Sequence, residues 1–148
     1  MPEVVSVNVR GLDELEAKLA QMAPKIGRSV IRRGLKAGAQ VFLEEMQARA
    51  ARLTGFLREH IGMKIKMRAE DLAGTAMVGP LKVDYPQRQG KRGKGSTISA
   101  ASVARFLEFG TSKMRARPFI RQSFEVKKGA ALDAFVSEAK AGYEDAVK

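Results

Sequence analysis

The chain has 148 residues and a net charge of +11, from 27 Lys and Arg against 16 Asp and Glu, and it contains no cysteine. That length supports one domain with a core of its own, whereas two domains would each bury too little surface. The absence of cysteine excludes a disulfide framework, thiolate metal sites and cysteine nucleophiles.

No stretch approaches the roughly 20 apolar residues of a membrane span. Met1–Arg10 lacks the apolar core of a secretory signal, so no export and no membrane partner is expected. A positive charge on this scale suits nucleic acid, an acidic protein surface or an anionic membrane, without choosing among them.

In chain order, Glu3–Arg10 places Val5, Val7 and Val9 on one face and Ser6 and Asn8 on the other. A period of two in β-branched residues predicts a strand. Asp13 is placed to cap a short helix over Glu14–Met22, with Leu12, Leu15, Leu19 and Met22 on one stripe. Lys25–Leu53 is the longest helical pattern, its apolar stripe running through Ile26, Val30, Leu35, Val41, Phe42, Met46 and Leu53. Gly27, Gly34 and Gly38 interrupt it. Each costs roughly 0.5–1 kcal/mol relative to Ala in a helix interior. They mark either the close approach of another backbone or weak positions that the helix tolerates, and the sequence leaves both open.

Thr54 suits the cap of a brief helix reaching Ile61. Ile61–Met67 and Leu72–Val78 read as a hairpin of two strands around the polar run Arg68–Asp71, closed by Gly79-Pro80. Leu81–Ser99 has no apolar period. It holds glycines at 90, 93 and 95, Pro86, and five basic residues (Lys82, Arg88, Lys91, Arg92 and Lys94) against one Asp. This composition predicts a mobile basic loop. Ser99 or Ser102 caps a short helix that leads into Phe106, and Arg117–Lys148 reads as a final helix with a stripe of Phe124, Ala131, Phe135, Ala139 and Tyr143. Helices must shield three candidate strands. The predicted fold class is therefore α+β: a small antiparallel sheet packed against a long helix, with a C-terminal helix.

The least generic stretch is Val103–Phe124, VARFLEFGTSKMRARPFIRQSF. Gly110 suits a chain reversal, and Pro118 suits a first helical turn. Between them lies a basic elbow, with Glu108 before it and Arg115 and Arg117 within it. Phe106, Phe109, Phe119 and Phe124 are expected to be buried anchors on its two sides. The charges fit a solvated turn, a phosphate site at a helix N-terminus, or an intersubunit contact in which arginine forks meet carboxylates.

Little points to catalysis. His60, the only histidine, has no legible partner for acid–base or metal chemistry. Gly90, Gly93 and Gly95 with their lysines and arginine lack the spacing of a phosphate-binding loop. No enzyme activity, metal or cofactor is expected.

Two motifs carry a resemblance. Ala104–Met114, ARFLEFGTSKM, followed by Arg117-Pro118-Phe119-Ile120, resembles the signature of a phage minor-tail-component family, typified by the gene-ten product of a lambdoid phage. Arg52–Ile61, RLTGFLREHI, resembles that family's Thr-Gly-x-Leu element, with Ala51 and Arg52 where the family usually has proline.

The resemblance implies a structural virion protein of a tailed phage or prophage. It would act in tail completion or head–tail joining, at the neck, and be assembled in the host cytoplasm. The implied partners are further copies in a ring, with a hexamer favoured, the head connector or stopper protein, and the tail tube protein, with passing contact with DNA. It lifts the intersubunit reading of the elbow, with Glu108, Thr111, Lys113, Arg115 and Arg117 at the interface. The loop cations Lys82, Arg88, Lys91, Arg92 and Lys94 would face DNA or a partner. The alternative is a basic DNA-binding accessory protein.

Overall fold

The computed structural model describes residues 12–51, 55–68, 72–85 and 98–148. The strand predicted over Glu3–Arg10, the cap at Thr54 and the central part of the basic loop lie outside them. Among the described residues the order is α1 (Leu12–Ala20), α2 (Pro24–Ala51), α3 (Gly55–Glu59), β1 (Ile61–Met67), β2 (Gly74–Pro80), α4 (Ala100–Phe109) and α5 (Phe119–Val147). The fold is α+β, with one antiparallel strand pair beside a long helix and a C-terminal helix.

The long helices α2 and α5 make the dominant contact of the molecule. Its middle explains two of the helix glycines. A Cβ on Gly34 would lie 2.9 Å from the carbonyl oxygen of Phe135, and one on Gly38 would lie 2.9 Å from that of Ala131. Both pairs are four residues apart, one helical turn, so the two backbones touch along adjacent turns. Gly27 differs, since its Cβ would meet only the side-chain end of Leu72, at 2.7 Å.

A hydrophobic cluster lies on each side of this waist. One gathers Leu15 and Leu19 of α1, Val30 of α2 and Ala139 of α5. Nearby, Arg33 spans α2 to α5 by bonding Glu138 at 2.8 Å and Asp145 at 2.9 Å. The Glu138 hydrogen bond first, and the Asp145 one second, raise the arginine's pKa above its ordinary value. The other cluster is larger and joins Met46 and Ala50 of α2, Leu57 of α3, Ile61 of β1, Ala100, Ala104 and Leu107 of α4, and Phe119 of α5.

The strands pair in the register Ile61↔Pro80 through Met67↔Gly74, so β2 begins two residues later than predicted and takes in Gly79-Pro80. Proline is tolerated there because it closes the strand rather than interrupting it. The ends of the basic loop are tied down. Tyr85 N–H donates to Ile98 O at 2.9 Å and Ala100 N–H donates to Val83 O at 2.8 Å, as an antiparallel bridge between Asp84 and Ser99. These pairings lie at the two ends of the stretch Leu81–Ser99, and residues 86–97, on which the expectation of a mobile loop rests, lie outside the described residues.

The aromatic anchors also need correction. Phe119 alone is buried, at 3% exposure, whereas Phe106, Phe109 and Phe124 are 44%, 68% and 49% exposed. The buried residues of α4 are Ala100, Ala104, Leu107 and Glu108, a helical i, i+4, i+7, i+8 face. Positions 106 and 109 therefore turn outward. Phe124 sits at a rim, its ring stacked on Phe42 with centroids 5.4 Å apart.

The waist gives a contrast between glycines. Gly38→Val should cost about 1–3 kcal/mol by overpacking against α5. Gly129→Ala, where a Cβ meets nothing within 4 Å, should stabilise by roughly 0.5–1 kcal/mol. Chemical denaturation of the two variants beside the parent checks both signs.

Candidate functional site

The elbow between α4 and α5 is built from the backbone outward. Ser99 caps α4, its Oγ accepting from Ser102 N–H at 3.2 Å, so of the two serines the first is the cap. The helix ends at Gly110, whose N–H donates to Phe106 O at 2.8 Å. Gly110 has φ 76° and ψ 179°, a region that is essentially glycine-only. A Cβ there would also lie 2.8 Å from both Ala116 N and Met114 O. Thr111 and Met114 then close a tight turn, with N–H donors and carbonyls exchanged at 2.9 and 3.2 Å. Arg117 N–H returns to Leu107 O at 2.6 Å.

The next helix begins with a deficiency. Pro118 precedes α5 and has no side chain able to cap it. Glu108 does so from α4. Its Oε2 accepts from Ile120 N–H at 3.0 Å and its Oε1 from Arg121 N–H at 3.1 Å. The carboxylate, 9% exposed, meets the positive end of the α5 dipole. Glu108 thus fixes the frame of the elbow through backbone donors. Its hydrogen bonds go to neither Arg115 nor Arg117.

The other predicted residues are exposed: Thr111, Lys113, Arg115 and Arg117 on the turn, and Lys82 beyond β2. Thr111 Oγ1 accepts from Lys113 N–H at 3.3 Å, which stiffens the turn. Arg88, Lys91, Arg92 and Lys94 lie outside the described residues. The structure adds three cations that sequence reasoning missed. Arg49 of α2 lines an open cleft of about 460 Å³ with Arg115, Arg117, Pro118, Phe119 and Gln122. Its Nη1 donates to Gln122 Oε1 at 3.0 Å and its Nε to Glu45 Oε1 at 2.7 Å. Arg105 and Arg121 flank a second depression of about 420 Å³ that holds Pro80, Ala104, Phe109 and Ile120. The side chains of Arg105, Lys113, Arg115, Arg117 and Arg121 form no ion pair with a described residue. The i, i+4 pair Arg105 and Phe109 would have been legible had the Ala100/Ala104 face been taken as the inward one.

His60 is structural in its surroundings. Its ring stacks on Phe56 with centroids 4.0 Å apart, and Nδ1 donates to Phe56 O at 2.8 Å. Among the described residues no group of three or more His, Asp or Glu is placed to hold a metal ion.

The family model of the HK97-gp10-like proteins, assigned as bacteriophage tail components, matches residues 13–110. The chain belongs to this family. No curated protein and no solved structure gives a significant match. The match takes in α1 to α4, including Gly55 and Leu57 of the Thr-Gly-x-Leu element, and stops at Gly110. In this HK97-gp10-like chain α3 delivers Leu57, fully buried, to the larger core cluster. The cationic turn and α5 lie beyond the match.

The capping role of Glu108 is testable in this tail component. Glu108→Ala should lower stability by about 0.5–2 kcal/mol, the loss of a helix cap. Glu108→Gln keeps acceptor oxygen in place and should lose less. Equilibrium urea unfolding of both variants checks the order.

Proposed function

We propose that this chain is a non-catalytic structural protein that assembles into a ring between the head connector and the tail tube, completing the tail or joining it to the head. The observation that carries the reading is the elbow surface. Phe109, the last residue of α4, stands 68% exposed beside cations that form no ion pair with a described residue, next to a turn held at one end by Gly110 and at the other by Glu108. A rigid surface of aromatic and arginine side chains suits docking, since little conformational freedom is lost on contact.

A ring needs a heterologous interface, one face of a subunit meeting a different face of the next. The helix α5 has 29 residues, so at a rise of 1.5 Å per residue its ends stand roughly 44 Å apart. The elbow end and the far end are thus separate surfaces. The partners in this reading are other copies, with a hexamer favoured, the connector or stopper protein, and the tail tube protein. Family membership supports placement in the virion. The loop cations Lys82, Arg88, Lys91, Arg92 and Lys94 would face DNA in passing or a neighbouring protein. A DNA-binding accessory role is the second reading, favoured by the charge of +11.

The two separate experimentally. A chain carrying Arg115→Glu and Arg117→Glu should melt like the parent, because both side chains are exposed. It should lose incorporation into tails when supplied with the remaining virion proteins. Truncating one partner of a desolvated interfacial charge pair typically costs about 2–5 kcal/mol, and reversing its sign adds repulsion to that loss. Normal incorporation, together with duplex DNA affinity that falls steeply with salt, would favour the accessory reading instead.

A further inference from the structure

We propose that the depression between α4 and the start of α5 is a docking surface for an acidic partner protein. That partner would seat an apolar side chain beside Phe109 and place carboxylates against Arg105 and Arg121. This surface extends the assembly reading above, on which it rests, by naming the chemistry of the neighbour.

The floor of the depression is apolar: Pro80 from the end of β2, Ala101 and Ala104 from α4, and Ile120 from α5. Phe109 forms one wall and is 68% exposed, an unusual position for a phenylalanine on a folded helix. The rim carries Arg105 and Arg121. Its one carboxylate, Glu108, has both oxygens turned onto the backbone N–H groups of Ile120 and Arg121. An approaching surface therefore meets positive charge around an apolar hollow, and among the described residues of the rim no acidic group faces outward to balance it.

That combination selects among occupants. Arginine and large aromatics are enriched at the anchoring centres of protein interfaces, and the guanidinium fork matches a carboxylate bidentately. A DNA backbone would satisfy the arginines through phosphate oxygens and leave the hollow and Phe109 in water. At this face a second copy would bring a chain of net +11 to a cationic rim without supplying the carboxylates it calls for, and like charge opposes that approach; the copy-to-copy contact of the ring therefore uses other surfaces. An acidic protein with an exposed apolar side chain satisfies both the rim and the hollow.

The test uses the full chain and three fluorescent probes. One is an amphipathic peptide of Glu and Leu with the leucines at helical spacing. One is a peptide of the same composition with the leucines scattered, and one is a short DNA duplex. Anisotropy should show the patterned peptide binding more tightly than the scattered one. Phe109→Ser should weaken it at least about tenfold, the loss of an interface anchor, with the melting curve unchanged. Joint Arg105→Glu and Arg121→Glu substitution should abolish it.

Equal affinity for the two peptides, no effect of Phe109→Ser, or duplex binding tighter than the patterned peptide overturns the proposal. Self-association by sedimentation that Phe109→Ser removes would assign the face to a second copy and overturns it as well. Failure here alongside loss of tail incorporation in the Arg115→Glu, Arg117→Glu chain removes this docking surface and leaves the proposed function standing. The opposite pair of results removes the proposed function.

Discussion

The structure at the elbow depends on one carboxylate. Glu108, buried in the last turn of α4, opens α5, with one oxygen on each of two backbone N–H groups. Pro118 fixes a favourable backbone angle for the entry to α5 but supplies no side-chain acceptor. Without an acceptor, donors of the first turn would be left unsatisfied in a half-buried setting. A charge-assisted bond to such donors is roughly twice as strong as a neutral one. The same contact ties the end of α4 to the start of α5, so the turn from Thr111 to Arg117 is clamped at both ends.

From this follows a separation between building and binding. The larger core cluster gathers α2, α3, β1, α4 and α5 beneath the elbow. The waist at Gly34 and Gly38 brings α2 and α5 into backbone contact farther along. These features hold the platform. The groups left over are arginines, a lysine and Phe109, which carry charge and apolar area without a described partner in the chain. A surface fixed in this way presents its groups with little entropy left to lose.

Much of this was legible in the sequence, for identifiable reasons. The long helix, the hairpin, the Ser99 cap, Gly110 and Pro118 each leave a local signal in spacing or backbone preference. The roles of Gly34 and Gly38 stayed open because their reason is the carbonyls of Ala131 and Phe135, roughly a hundred residues away in sequence. Phe106 and Phe109 misled because apolar character does not say which side of a helix faces inward. On α4 the small residues Ala100 and Ala104 take that side. Glu108 read as a surface charge because buried carboxylates are rare without a partner, and its partners are backbone groups twelve and thirteen residues ahead. Arg49 reaches the site from α2, and no window along the chain could have placed it beside Gln122.

The central claim is that assembly uses the surface which Glu108 and Gly110 hold in place. Electron cryomicroscopy of the assembled tail at side-chain resolution tests it most directly. The account predicts Phe109, Arg105 and Arg121 buried against an acidic neighbouring protein and the turn from Thr111 to Arg117 buried against an adjacent virion protein, with Glu108 still bound to the start of α5. A reconstruction in which this face points into solvent while the hairpin or the far end of α5 makes the contacts would contradict it.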